Sequence, residues 1–519
     1  MENPKGRSLV LHPLLFAAAP ILILYGHNID QVPAGHMLPL LAASIAVAGV
    51  LWLALRALLK SWTKSSFVVS TLLALFFSYG HLHSLVIKAL VALGVRREIG
   101  GILPLEESAV LHAVLISIVA ASGIFLIVRI LRTRSSLAFA NRLFNVIAAT
   151  LVVMSLAGIA RYEITTPRPV AIPPPQPILA DDGAVEKPDI YYIILDGYGR
   201  GDVLRDYYHF DNGKFLDFLR AAGFYVDDEG RPNYNWTFMS LASSLNMDYL
   251  DELADRVGRK SKDSRLTYEM IRNNRVVETL KSKGYRYVHF DSTWGATQSN
   301  PGADVEISYR RGWFSIEFSR LIASTTLLKP WPSLMGLELA ARHLYGLDKL
   351  RSVCSLAGPK FVFYHLLPPH YPYVLDSLGR VKRHLYLSNQ FEYDKQFWRD
   401  RGSYIEQLAF VNARIKQTVA DILRGSSRPP VIVLQSDHGP TLEDVPWKDF
   451  LRARFGILNA VYFPKGTVPF LRSKTPVNTF RIIFNALFGA DLPLLEERSF
   501  YSPFELPFDF REVTPPRSR

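Results

Sequence analysis

The first 160 residues consist largely of long apolar stretches separated by short polar segments, whereas the rest of the chain alternates shorter apolar runs with amphipathic ones. Each early stretch is close to the roughly 20 residues that a helix needs to cross a bilayer. Each is apolar nearly all round, unlike the helices of a soluble bundle, which carry a polar face. The stretches cover residues 9–25, 37–59, 67–93, 109–131 and 138–160. This pattern predicts a transmembrane bundle of about five helices within residues 1–161.

Basic residues in the flanks of these stretches predict the orientation of the bundle. Lys5 and Arg7 precede the first stretch as in a signal peptide, but four further stretches follow and no small-residue cleavage site leads into a soluble domain, so we expect a retained helix. Further basic residues lie near the ends of the second, fourth and fifth stretches: Arg56, Lys60, Lys64, Arg129, Arg132, Arg134 and Arg142. Arg96 and Arg97 run against this pattern. Because basic flanks mark the cytoplasmic side, we expect a cytoplasmic N-terminus in the cell membrane and, after an odd number of spans, an extracytoplasmic remainder.

The chain after the bundle changes first to a connector and then to a strand-and-helix pattern. Residues 162–187 contain six prolines and predict a stiff, extended linker. Beyond it, β-branched and aromatic runs of strand length alternate with helical patterns such as 404–423; the runs are 189–195, 287–290, 360–366 and 431–435. Continuous apolar strands are typical of a sheet buried on both faces. We therefore expect residues 188–519 to form an α/β domain with a mostly parallel central sheet.

Charge and cysteine content narrow the classes of function. The net charge of +12 partly reflects the basic flanks of the bundle, and the remainder is compatible with a solvated surface, anionic lipid head groups or an anionic substrate. Cys354 is the single cysteine, which excludes an intramolecular disulfide and a cysteine-rich metal site. The sequence carries no nucleic-acid-binding pattern. It gives no indication of the oligomeric state.

Acidic residues and histidines follow the predicted strands where those strands end. Asp196 follows the first run, His365 closes the third with His370 just beyond, and Asp437 and His438 follow the fourth. In an open α/β sheet the ligand site lies beyond the carboxyl ends of the strands. Carboxylate and imidazole are the ligands of a hard or borderline divalent metal. The spacing therefore predicts a metal site at this edge, although an adjacent Asp and His can also cap a strand end by binding backbone groups.

Three segments of this half of the chain resemble the alkaline-phosphatase and sulfatase superfamily. They are residues 190–199, the Pro-Pro-His-Tyr-Pro-Tyr run at 368–373, and the Ser-Asp-His-Gly run at 436–439. The resemblance implies that Asp196, Asp437 and His438 bind a divalent metal. It also implies a nucleophile on that metal at a helix N-terminus soon after the first strand. Thr237 is our choice for this metal-bound nucleophile, with Ser240 as the rival, and ordinary helix capping is the alternative for both.

Within the superfamily the layout is similar to lipoteichoic-acid synthases and phosphoethanolamine transferases, which combine about five transmembrane helices with an unmodified Thr nucleophile. The Cys/Ser-x-Pro-x-Arg motif of sulfatases is absent near the proposed site, which argues against sulfate ester hydrolysis. Asp196 stands where those enzymes typically have Glu, so the subfamily stays open. His370 resembles a histidine that binds the substrate or protonates the leaving group in these families. A second metal or phosphate contact from His289, Asp291 or His365 stays open, with a structural role favoured for each.

These observations predict a metal-dependent phosphoryl-group transferase or phosphodiesterase that acts on a membrane lipid or a cell-envelope glycan. Hydrolysis of a phosphate or sulfate ester is the alternative reaction, and a catalytically silent envelope scaffold is the alternative class. A His ligand with two carboxylates favours Zn or Mn, with Mg and Ca still possible. We expect one such ion from the sequence, which leaves a second ion open.

Overall fold

The computed structural model describes residues 9–30, 32–95, 98–99, 103–104, 108–165, 187–309, 316–382, 398, 400–442, 445–464 and 473–513, without the side chains of 98–99, 103–104 and 332–335. The predicted proline-rich linker falls almost entirely on residues 166–186, which lie outside this set. The chain divides into two compact units. The first contains the N-terminal helices together with residues 316–332, and the second contains the α/β domain.

Five N-terminal helices form the bundle, and their bounds match the predicted stretches within a few residues. They are α1 (His12–His27), α2 (Ala34–Leu59), α3 (Trp62–Ala92), α4 (Ala109–Arg132) and α5 (Ala138–Thr165). The four helices α2 to α5 are long and apolar enough to cross a membrane, whereas α1 has 16 residues and falls short of that length. Helix α1 nevertheless packs against α2, α3 and α5. A short antiparallel pair, β1 (Glu98–Ile99) and β2 (Leu103–Pro104), precedes α4.

Hydrogen bonds between helix ends show that α1, α3 and α5 begin at the end of the bundle where α2 and α4 finish. Asn145 on α5 accepts from the backbone N–H of His12 at 2.9 Å, and Asn141 donates to the carbonyl of Leu9 at 2.9 Å. Lys64 at the start of α3 donates to the carbonyl of Leu131 at the end of α4 at 2.8 Å. The basic flanks of the second, fourth and fifth predicted stretches therefore meet at one end of the bundle, as the positive-inside rule requires of a cytoplasmic face.

The α/β domain is built on a seven-stranded sheet in the order β4-β9-β8-β3-β7-β5-β6. Its strands are β3 (Ile190–Leu195), β4 (Tyr225–Val226), β5 (Arg286–Phe290), β6 (Val305–Ile307), β7 (Lys360–Leu366), β8 (Val431–Gln435) and β9 (Asn459–Tyr462). Strands β6, β5, β7, β3 and β8 are parallel, and β9 pairs antiparallel with β8. The predicted mostly parallel sheet is confirmed. Strands β10 (Ser499–Tyr501) and β11 (Arg511–Val513) form a separate antiparallel pair.

Helices cover both faces of this sheet, as the continuously apolar strands predict. They are α6 (Gly201–Tyr208), α7 (Gly213–Ala221), α8 (Thr237–Asn246), α9 (Asp251–Val257), α10 (Arg265–Arg272), α11 (Arg275–Ser282), α13 (Pro332–Leu350), α14 (Arg401–Gly425), α15 (Trp447–Arg454) and α16 (Thr479–Phe488). Alternate residues of β3, such as Tyr192, pack with α8 and α16 in one core. On the other face, Gly346 of α13 lies so close to the Tyr364 hydroxyl that a Cβ would clash with it. The central strands thus deliver their carboxyl ends to one edge of a buried sheet.

Candidate active site

The end of β3 places Asp196 at the centre of this edge. The backbone N–H of Asp196 donates to the carbonyl of Leu366 on β7 at 3.0 Å, and its own carbonyl accepts from the N–H of His370 at 3.0 Å. Gly197 then turns the chain with a φ of 67°, in the left-handed region that favours glycine. A Cβ at this position would lie 2.9 Å from the Trp398 ring. The turn directs the N–H of Gly197 to Asp437 Oδ1 at 3.2 Å, which joins the ends of β3 and β8.

The end of β8 supplies Asp437 and His438 from adjacent positions. His438 Nδ1 lies 3.0 Å from the carbonyl of Gly439, and because a carbonyl only accepts, Nδ1 carries the proton of the neutral ring. The lone pair is therefore on Nε2, which lies 3.3 Å from Asp437 Oδ2 and 3.5 Å from Asp196 Oδ1. Gly439 passes so close to the carbonyl of Ala453 that a Cβ would clash with it, so no side chain fits there.

Helix α8 presents Thr237 to the same place. Trp236 is the N-cap residue and Thr237 is the first residue of the helix, one position later than the cap-like place expected from the sequence. Thr237 Oγ1 lies 3.1 Å from His438 Nε2, so the hydroxyl donates to the ring nitrogen that carries the lone pair. The rival residue, Ser240, is buried and donates to the carbonyl of Asp437 at 2.7 Å. Its hydroxyl holds the β8 loop against α8.

Two further histidines complete what we call the Asp/His cluster: Asp196, His365, His370, Asp437 and His438. His365, for which the sequence favoured a structural role, is fully buried, with Nε2 3.4 Å from Asp196 Oδ2. Its Nδ1 lies 2.8 Å from Thr297 Oγ1, which in turn lies 2.7 Å from Ser292 Oγ. His370 Nδ1 donates to the carbonyl of Tyr371 at 2.6 Å. Its lone pair, like that of His438, is therefore on Nε2.

The Asp/His cluster meets the chemical requirements of a divalent metal site. Its members form two overlapping groups, Asp196 with His370 and His438, and Asp196 with His365 and Asp437, and the ligand atoms within each group lie within 4.8 Å of one another. Asp196 Oδ1, Asp437 Oδ2 and His365 Nε2 are buried and make no hydrogen bond. Buried polar atoms are nearly always satisfied, so three unsatisfied ones at one point indicate a missing partner. Carboxylate oxygens and imidazole nitrogens fit Zn or Mn.

The ionisation of the Asp/His cluster follows from its burial. Burial raises the pKa of Asp437, and the negative charge of Asp196 raises it further. Burial acts in the same direction on Asp196, but His370, His365 and His438 outweigh it and lower the pKa of that carboxyl. Burial lowers the pKa of His438 well below its usual value, and the nearby Arg454 adds to the effect. The metal-free site thus combines a neutral His438 with acids whose mutual repulsion a cation would relieve.

Arg454, which sequence reasoning did not single out, connects the two segments that carry Thr237 and His438. This buried guanidinium donates through Nε to the carbonyl of Asn235 at 2.9 Å and through Nη1 to the carbonyl of Gly439 at 3.0 Å. It also lies 5.1 Å above the ring of Trp236. Arg454 therefore fixes the N-terminus of α8 relative to the end of β8, in a contact that spans more than 200 positions of the chain.

His289 and Asp291, the other two residues considered for a second contact, have partners elsewhere. His289 Nδ1 lies 3.0 Å from Glu306 Oε1, and Asp291 accepts from Arg342 at 2.7 Å. Neither belongs to the two metal-binding groups found among the described residues. Through these contacts, His289 and Asp291 stabilise the end of β5.

No protein-family model matches the chain, and no curated protein matches it by sequence. Solved structures similar to it include the C-terminal periplasmic domain of EcEptC from Escherichia coli in a complex with Zn, at 14% identity and a TM-score of 0.43 over 65% of this chain and 96% of that one. The lipooligosaccharide phosphoethanolamine transferase A of Neisseria meningitidis, an integral membrane protein, is similar at 12% identity and a TM-score of 0.38, over 92% of this chain and 93% of that one.

A 2-O GAG sulfatase, BT1596, is similar at 13% identity and a TM-score of 0.37, over 59% of this chain and 72% of that one. These proteins belong to the classes that the sequence motifs resemble. At such identities and TM-scores the similarity assigns no activity to this chain.

Proposed function

We propose that this protein is a metal-dependent phosphoryl-group transferase or phosphodiesterase whose nucleophile is Thr237. The observation that carries the proposal is the convergence of a helix-terminal hydroxyl, two carboxylates and three imidazoles on one buried point. Thr237 Oγ1 is 3.1 Å from His438 Nε2, and that nitrogen is within 3.5 Å of both carboxylates. This arrangement fits a phosphate ester, because a phosphoryl group is transferred when a cation neutralises its oxygens and a nucleophile attacks its phosphorus.

In this proposal the bond from Thr237 Oγ1 to phosphorus forms as the bond from phosphorus to the leaving alcohol breaks. An acceptor hydroxyl or water then attacks phosphorus and releases Thr237. Asp196, Asp437 and His438 would hold the divalent ion, with His365 or His370 within reach of it, and the bound ion would supply the charge that acidifies the Thr237 hydroxyl and neutralises phosphoryl oxygens. The positive end of the α8 dipole favours the same alkoxide. His370, on the loop after β7, is our candidate for protonating the leaving alcohol, once its Nε2 has taken up the proton that Thr237 loses.

The bundle supports a lipid or cell-envelope substrate. Its basic end marks the cytoplasmic face, and α5 runs away from that end, so residue 165 would emerge on the outer side. A nucleophile in the domain that follows would meet lipid head groups or envelope glycans there. The ordered contacts of α1 with three neighbouring helices support counting it as a membrane span despite its length.

Metal analysis and intact-mass spectrometry on the full chain in detergent test the proposal. Wild type and Thr237→Ala would be incubated with a phospholipid extract, and fragmentation of the 237–246 region would locate any adduct. We expect a stoichiometric divalent ion in both proteins and a phosphoryl-containing adduct on Thr237 of the wild type alone. An adduct on Ser240 would instead identify Ser240 as the nucleophile. Metal with released phosphate but no adduct would favour hydrolysis through a short-lived intermediate, and the absence of metal, adduct and turnover would favour a scaffold.

A further inference from the structure

Residues 316–332 follow β6 in the sequence but pack into the helical bundle. Helix α12 (Ile316–Thr325) buries Phe318 and Leu321 in one apolar cluster with residues of four bundle helices. The partners include Tyr25 near the end of α1, Met37 near the start of α2 and Ile159 near the end of α5. All three lie at the end of the bundle opposite its basic flanks. The segment therefore belongs to one particular end of the bundle.

The connection after α12 is fixed against the middle of α3. The backbone N–H of Leu327 donates to the carbonyl of Phe76 at 2.9 Å, and the Leu327 side chain packs on the apolar cluster around Tyr79. Gly80 approaches the segment so closely that a Cβ there would lie 2.5 Å from the carbonyl oxygen of Ser324. Only glycine permits this approach. Residues 324–327 are thus held at one level along α3.

The contact between Gly80 and residues 324–327 lies at the depth of a membrane surface. Helix α3 starts at Trp62 beside the basic flanks, and at ~1.5 Å per residue Gly80 lies about 27 Å further along its axis. The hydrocarbon core of a bilayer is about 30 Å thick, so Gly80 is at its far boundary. Beyond it α3 continues to Ala92 and carries Lys88.

Two large apolar side chains are exposed on this connection. Leu328 is 46% exposed and Trp331 is 48% exposed, with Lys329 between them. Apolar side chains at this level meet lipid rather than water, and Trp beside Lys is the residue combination of the interface. We propose that residues 326–331 dock into the head-group region of the outer leaflet, so that this part of the chain beyond α5 is anchored by lipid as well as by α12.

This inference rests on the bundle and does not depend on the reaction. Its partner is the lipid surface, because the segment is continuous with the membrane-facing bundle and lies at the depth where that bundle leaves the bilayer. A second copy of the chain would be the other way to cover Leu328 and Trp331, and the experiment separates the two.

Spin labels on the full chain in nanodiscs of phosphatidylethanolamine and phosphatidylglycerol give the test. In a Cys354→Ser background, single cysteines would replace Leu328 and Trp331, with Phe125 on α4 as the lipid reference and Arg424 on α14 as the aqueous reference. We expect oxygen collisions at 328 and 331 to resemble those at 125, and nickel-chelate collisions to fall several-fold below those at 424. Nickel-chelate collisions like those at 424 would overturn the proposal. Exclusion of both probes, as in a protein–protein contact, would overturn it as well.

A second measurement needs no label and keeps the test valid if a cysteine variant folds poorly. Brominated lipids would quench wild-type tryptophan fluorescence more than that of Trp331→Phe, because Trp331 would lie within reach of the acyl chains. Equal quenching of the two proteins would count against the docking.

Discussion

Two of the buried carboxylate clusters in the described part of the α/β domain differ in what faces their carboxylates. Asp202 accepts from Arg200 Nε at 2.6 Å and from Arg452 Nη2 at 2.9 Å. In the Asp/His cluster, the carboxylates of Asp196 and Asp437 face imidazoles, and each keeps a buried oxygen that makes no hydrogen bond. Both oxygens of Asp202 are therefore bound by arginines, whereas Asp196 and Asp437 each keep an oxygen without a hydrogen bond.

The pKa values of these acids express the same difference. Burial raises the pKa of Asp202, but Arg200 and Arg452 overcome it and leave that pKa below its usual value. For Asp437, burial and Asp196 act together and raise the pKa. Acid and base types alone therefore do not identify a functional site; what distinguishes the Asp/His cluster is that two carboxylate oxygens and an imidazole nitrogen without hydrogen bonds lie together. Replacing one aspartate of each cluster by asparagine tests this difference.

The largest contrast is expected between Asp437→Asn and Asp202→Asn. Asp437→Asn removes a metal ligand, so phosphoryl transfer should fall by about 10³-fold or more, beyond the ~10–100-fold that outer-shell changes cost. In chelator, however, the same change should raise the stability by about 1 kcal/mol, because it removes a carboxylate that burial and the charge of Asp196 both disfavour. Asp202→Asn should leave the reaction rate nearly unchanged and cost about 3 kcal/mol by breaking a buried pair.

Thermal unfolding with and without added Zn or Mn, together with turnover, measures this contrast. Metal should raise the unfolding midpoint of wild type and of Asp202→Asn but hardly that of Asp437→Asn. If Asp437→Asn lowered the midpoint in chelator, the Asp/His cluster would be a stabilising network like the first one, and the metal assignment would lose its main support.

A smaller effect is expected from two arginines of α15 that are two positions apart and both buried. Arg454→Lys keeps the charge but loses the fork that joins the carbonyls of Asn235 and Gly439. A displacement of Thr237 by about 1 Å should lower kcat by roughly 10²-fold. Metal content should stay unchanged. Arg452→Lys, the matched control, should lower stability through its pairs with Asp202 and Asp206 and leave kcat within a few-fold of wild type. Equal kcat losses in both variants would mean that Arg454 acts only on stability.

Local rules explain why much of this architecture could be predicted from sequence. Strands β7 and β8 occupy the predicted residues, because continuous apolar runs predict strands of a doubly covered sheet, with candidate ligands at or just beyond their carboxyl ends. The same rule placed Asp196, Asp437 and His438 at one edge. Thr237 needed the family resemblance in addition, since a helix-terminal Thr is common as a cap.

The features that could not be predicted from sequence depend on contacts between positions far apart in the chain. Arg454 lies in an ordinary amphipathic helix, and its importance comes from carbonyls of two other loops. His365 has the pattern of a structural strand-end residue, and only the approach of Asp196 brings it into the Asp/His cluster. Helix α12 was included in the predicted 188–519 domain, because a ten-residue amphipathic helix has the same pattern whether it packs on a sheet or on a bundle.

Thr297→Val tests whether His365 belongs to the metal site. The change removes the partner of His365 Nδ1, which orients Nε2 towards Asp196. Loss of such an outer partner should weaken metal affinity about tenfold. Thr267→Val, which removes a comparably buried hydroxyl bond to the carbonyl of Ser264 on α10, should leave the affinity unchanged. Metal titration of the chelator-treated chain distinguishes the two, and an unchanged affinity in Thr297→Val would return His365 to a structural role.

The smallest expected effect is that the stability contributions of Asp437 and Asp202 change in opposite directions with pH. The raised pKa of Asp437 means that the folded, metal-free protein holds a proton that the unfolded chain loses above about pH 4, so this residue's contribution to stability falls as pH rises. The lowered pKa of Asp202 means that its contribution is present above about pH 4 and is lost as pH falls. The stability difference between wild type and Asp437→Asn should therefore decrease with pH, and that between wild type and Asp202→Asn should increase. Each slope is at most about 1.4 kcal/mol per pH unit for one group. Unfolding midpoints in chelator between pH 3 and 8 measure both slopes, and slopes of the same sign would show that Asp437 is paired in the way Asp202 is.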